Sequence, residues 1–132
     1  MGQVLIAELV AAEPRFIHHL RKDVNHWLQD DGEISPCMLF SSLTNFVLED
    51  IAADHCYNYR KIFALVENYV ACGEEVLRNA ASTCFIENLQ NVSAKIDPEL
   101  WVHYLGDESR KFAQSWDRFT GVKTQGLYDG PC

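Results

Sequence analysis

Seven carboxylates lie in one stretch of this chain that contains no lysine or arginine: Asp23, Asp30, Asp31, Glu33, Glu49, Asp50 and Asp54, between Asp23 and Tyr59. Carboxylates grouped without counter-charges can hold a divalent cation, exchange protons or attract a basic partner. For a metal, Asp50 and Asp54 stand four residues apart with His55 next, a spacing that shares a helical face, but no HExxH-type companion accompanies them. For proton transfer, His18-His19 with Asp23 mimics a base and the group that orients it, but no nucleophile stands nearby in the sequence. Ser41-Ser42 lack a GxSxG elbow, no cysteine sits in a catalytic signature, and neither GxxxxGKS nor GxGxxG occurs. The sequence therefore points away from an enzyme, and no metal or cofactor is expected.

Electrostatic docking is the remaining use of the acidic interval. The chain carries a net charge of −8. That disfavours nucleic acid, whose affinity for proteins comes mostly from Lys and Arg on phosphates. It favours a partner protein with a basic surface. Tyr57 and Tyr59 follow the acidic interval directly, and tyrosine buries much area with few rotatable bonds. The expected partner-binding set is Asp30, Asp31, Glu33, Glu49, Asp50, Asp54, Tyr57 and Tyr59.

The elements that must position these residues are helices. Ile17, Leu20, Val24, Trp27 and Leu28 recur at helical spacing after Pro14, and Gln3 to Ala12 predicts a short helix before them. Gln29 to Ser35 is a loop. Ser35-Pro36 fits an N-cap and first helical residue, opening a helix to about Ala53 with Leu39, Phe40, Leu43, Phe46, Val47 and Ile51 on its apolar side. Another helix carries Ile62, Phe63, Val66, Tyr69 and Val70 and stops at Gly73. Glu74 and Glu75 open the next, with Val76, Leu77, Ala80, Cys84, Phe85 and Leu89 inward. Asp97-Pro98-Glu99 starts a helix that ends at Gly106. Asp107 opens the last one, with Phe112, Trp116 and Phe119 on one face and Gly121 as its stop. Trp27, Trp101 and Trp116 are expected in the core.

These patterns predict an all-α fold: a compact bundle of five to seven helices with short loops. Residues 1–121 form a single helical domain, and residues 122–132 form an irregular, flexible or loosely docked tail. The five cysteines are spread out and odd in number, without a CxxC pair, so reduced thiols are expected rather than a disulfide framework. No apolar stretch approaches the roughly 20 residues that span a bilayer, and the residues after Met1 lack a basic signal region. The expected location is cytoplasmic, with no membrane partner.

The stretch Gly73-Glu74-Glu75-Val76-Leu77-Arg78-Asn79-Ala80-Ala81-Ser82-Thr83-Cys84-Phe85-Ile86-Glu87-Asn88-Leu89 resembles a pattern in small helical bacterial proteins. There an acidic helix start and a Glu-Val-Arg-Asn-like run are followed by an apolar run with a Phe-Leu-Glu-Asn-Leu-like end. Leu39-Phe40-Ser41-Ser42-Leu43 upstream and Tyr104-Leu105-Gly106 to Trp116 downstream fit the same layout, over roughly residues 14 to 120. The chain thus resembles immunity proteins of polymorphic toxin and contact-dependent growth inhibition systems. The resemblance implies an all-helical protein that binds and neutralises a cognate toxin domain. It carries over no catalytic residues, and it places Asn79, Glu87 and Asn88 at helix ends or loops rather than against the toxin. A nuclease, with its basic substrate cleft, is the toxin type that suits an acidic inhibitor. The alternatives are a small metal-dependent enzyme or metal-binding protein using Asp50, Asp54 and a nearby His, or a generic helical adaptor.

Overall fold

A computed structural model describes residues 2–53, 58–92 and 95–128, leaving aside the side chain of Cys72. The fold is all-α, with eight α-helical segments among the described residues. No helix is long and apolar enough to cross a membrane.

α4 (Pro36–Ala52) is the central element. Ser35 caps it by accepting the Met38 amide at 3.2 Å, and Pro36 occupies its first turn. It buries Leu39, Phe40, Leu43, Phe46 and Val47. α1 (Gly2–Ala12) adds Leu5 and Leu9, one turn apart, and α2 (Phe16–Lys22) adds Phe16 and Leu20. α5 (Arg60–Cys72) closes the core with Ile62, Phe63, Val66 and Tyr69. Gly73 follows it with φ −67°, so it is not a left-handed cap. Glycine is needed there because a Cβ would collide with the Tyr69 carbonyl oxygen.

The expected helix from Pro14 to Leu28 breaks in two. α2 ends at Asp23 and α3 (Val24–Trp27) starts afresh, with the Trp27 indole donating to the Leu20 carbonyl at 2.9 Å. Leu28 then turns extended and forms an antiparallel bridge with Ile34. It is 42% exposed instead of joining the apolar stripe.

The stretch after Gly73 folds as α6 (Glu75–Ala81), a π-helical turn (Ser82–Glu87) and α7 (Asn88–Asn91) in direct succession. Glu74 caps it, accepting the Leu77 amide. The Cys84 carbonyl lies in this wider turn. It accepts from Asn88 Nδ2 at 2.7 Å and from the Thr44 hydroxyl of α4 at 2.9 Å. Cys84 is disulfide-bonded to Cys37 across 47 residues, with Cα atoms 5.4 Å apart. This corrects the expectation of uniformly reduced thiols. The start of α4 and the π turn run side by side, a proximity that sequence spacing does not reveal.

The helix expected from Asp97 to Gly106 is instead two short 3-10 turns, Pro98–Leu100 and Val102–Tyr104. Between them Trp101 leaves helical geometry and is fully buried. α8 (Asp107–Thr120) is capped from another helix. The Glu67 carboxylate of α5 accepts the amides of Glu108 and Ser109 and the Ser109 hydroxyl. Gly121, at φ 76°, ends α8 as expected. The inward face of α8 is Ser109, Ala113 and Asp117. Phe112, Trp116 and Phe119 lie outside that face, and Phe119 is 81% exposed. Of the three tryptophans only Trp101 is fully buried, whereas Trp27 and Trp116 are partly covered.

The described part of the expected tail, residues 122–128, is firmly docked. Leu127 is fully buried. Asp117 accepts the Thr124 amide and hydroxyl at 2.7 Å each, Gln90 Nε2 at 3.0 Å and the Tyr128 hydroxyl at 3.1 Å. Four donors converge on one buried carboxylate, which satisfies a charge that burial alone would make costly.

Candidate functional site

The acidic interval does not fold into one face. Asp30, Asp31 and Glu33 lie on the tip between α3 and α4 and are all exposed. The tip is an ordered turn. Gln29 donates its amide to the Glu33 carbonyl, and Gly32 donates to the Gln29 carbonyl. Asp31 Oδ1 accepts the Glu33 amide at 2.9 Å, and Ser35 donates to the Trp27 carbonyl. Gly32 has φ 85°, a conformation that favours glycine. Three carboxylates are thus presented on a rigid support, and no ion pair engages them among the described residues.

Glu49 and Asp50 sit near the other end of α4, about 20 Å from its start at 1.5 Å per residue. Glu49 is exposed, and one of its oxygens lies 3.5 Å from His19 Nδ1. Asp50 is buried, at 7% exposure. Its carboxylate pairs with Arg15 at 2.8 Å and accepts the Tyr59 hydroxyl at 2.6 Å. Tyr59 is itself 4% exposed. Asp50 and Tyr59 therefore form an internal strut between α4 and the start of α5, not a contact surface for a partner. Burial, and then the hydrogen bond to Asp50, hold the Tyr59 phenol well above its ordinary pKa. Arg15 also pairs with Glu13 and lies over the Phe46 ring. Asp54 and Tyr57 lie outside the described residues.

Asp23 is a joint between helices. His19 Nε2 lies 3.4 Å from its carboxylate, and the Ser42 hydroxyl donates to the same oxygen at 2.9 Å. The serine, histidine and aspartate thus meet without making a triad, because Ser42 donates to the acid and not to the imidazole. Ser42 is also 3% exposed, closed to a substrate. Among the described residues no group of three His, Cys, Asp or Glu side chains is placed to hold a metal ion.

A second feature, not foreseen from the acidic interval, adjoins the turn. Ser35, Pro36 and Cys37 form one wall of an open groove, and Val76, Asn79, Ala80, Thr83 and Cys84 form the rest, enclosing about 480 Å³. Val76 was expected inside and is 51% exposed here. Arg78, on the same helix, lines an adjoining groove with Glu108 and Lys111 that shares Asn79 and Thr83 with the first.

A family model described as Domain of unknown function (DUF7674) matches residues 6–121. No curated protein and no solved structure matches the chain.

Proposed function

The chain belongs to the DUF7674 family, and on that premise we propose that it is a binding protein: an immunity protein that neutralises a cognate toxin domain by docking against its basic surface. The observation that carries the reading is the turn at Asp30, Asp31 and Glu33. Its backbone is fixed by its own hydrogen bonds, and its carboxylates are exposed, with no ion pair engaging them among the described residues. Preordered charge accelerates encounter with an oppositely charged partner and costs little ordering on binding. The resemblance of the stretch 73–89 to immunity proteins supplies the kind of partner. The reading carries no catalytic role, and it places the protein in the cytoplasm of the cell it protects.

The test is protection. A candidate toxin domain taken from the neighbouring genes is expressed with and without the protein, and growth is followed. Restored growth, together with inhibition of the purified toxin at one-to-one stoichiometry, is the expected result. Growth arrest despite a folded, co-expressed protein overturns the immunity reading. A generic adaptor would bind its partner without altering that partner's activity.

A further inference from the structure

From the groove beside the acidic turn, resting on the binding reading above, we infer that the docking surface has an apolar anchor site, and that its occupant is a basic partner segment bearing one apolar side chain between lysines or arginines. The turn and the groove are joined in the chain: Glu33 and Ile34 lead straight into Ser35, Pro36 and Cys37, which form the near wall. The far wall is Val76 and Ala80, with the Cys37–Cys84 bond between the two sides. Exposed carboxylates precede both walls in the chain. Asp30, Asp31 and Glu33 precede the near wall, and Glu74 and Glu75 precede Val76 on the far one. Arg78 and Lys111 line the adjoining groove, which shares Asn79 and Thr83 with this one, and Lys111 lies 3.5 Å from Glu108 there. A segment with a central apolar side chain and basic flanks complements this arrangement. The apolar group leaves water against Val76, Ala80 and the disulfide, while the flanks meet carboxylates on either side.

The test uses two pentapeptides, Lys-Lys-Leu-Lys-Lys and Lys-Lys-Ser-Lys-Lys, titrated into the isotope-labelled protein and followed by amide chemical shifts. The leucine peptide is expected to bind about tenfold more tightly than the serine peptide, the size of effect one partly buried aliphatic side chain gives. Shifts should centre on Val76, Ala80 and Thr83. Asn79→Phe fills the groove from an exposed position without changing charge and should abolish the difference between peptides. Val76→Ser, also at an exposed position, should reduce it. Asp30→Lys with Glu33→Lys should weaken both peptides. Equal binding of the two peptides, with charge reversal still weakening both, overturns the anchor site and leaves the acidic docking surface standing. Indifference of both peptides to charge reversal at low salt overturns the docking surface, and the basic occupant with it.

Discussion

At the level of single residues, the acidic interval conceals two kinds of carboxylate. Asp30, Asp31 and Glu33 are exposed, whereas Asp50 serves the fold. Their types and spacing do not separate them, because the cation that claims Asp50 is Arg15, 35 residues upstream and outside the interval. Two outcomes follow from the strut. Tyr59→Phe removes one buried hydrogen bond to a charged acceptor and should lower stability by about 1.5–3 kcal/mol in urea denaturation. The phenols of Tyr59 and Tyr69 should also make the protein sensitive to alkali. Tyr59 is held above the ordinary 10.0 by burial and by Asp50. Tyr69 is pushed up to about 12 by burial and by its hydrogen bond to Glu8. A phenol whose pKa is higher folded than unfolded contributes its full stability below the unfolded value. That contribution is lost as pH rises from about 10 through the folded values. Denaturation midpoints should therefore fall between pH 9 and 12 (roughly the phenol titration range), and Tyr59→Phe should flatten the fall. A midpoint that stays constant over that range would contradict the burial of these two phenols.

Among the elements, those governed by local chemistry were legible and those governed by tertiary contacts were not. Ser35-Pro36 starts α4 and Gly121 stops α8 as their residue types dictate. The carboxylate at the break, Asp23, is held by Ser42, nineteen residues on, and the cap of α8 comes from Glu67, a helix away. Neither partner shares a local pattern with the element it shapes. Trp101 shows the same limit: burying it fully divides a stretch that reads as one helix into two short turns. Glu67→Ala should cost about 1–2 kcal/mol and speed amide exchange at Glu108 and Ser109, because the carboxylate both caps α8 and meets its dipole. The disulfide makes a larger claim. Closing 47 residues restricts the unfolded chain by up to about 4 kcal/mol on the chain-entropy account. Non-reducing peptide mapping should recover the Cys37–Cys84 link, and Cys84→Ser should lower the melting temperature of the oxidised protein. Cys37 is exposed, so a reductant should lower it comparably. A reducing cytoplasm keeps thiols apart. The redox state of this pair in cells therefore tests the cytoplasmic location and the stabilising bond against each other.

For the whole molecule, the all-α class was readable from helical periodicity alone, but the distribution of charge over the surface was not. α4 carries the exposed turn at one end and Glu49 near the other, about 20 Å along its axis, so one interval of sequence becomes two separate groups of carboxylates. On the proposed reading, the net charge of −8 attracts a basic partner and the turn adds the local charge that orients it. The two contributions separate by position and by salt. Asp30→Lys with Glu33→Lys should lower the association rate with a basic toxin domain by about tenfold at low ionic strength, with little change in dissociation. Glu49→Lys, roughly two Debye lengths away at 0.1 M salt, should change it far less. At about 1 M salt, where screening reaches 3 Å, the turn variant and the parent protein should associate at similar rates. Stopped-flow mixing over a salt series measures all three. If Glu49→Lys slows association as much as the turn variant does, the partner senses only the overall field, and the turn has no special part in recognition.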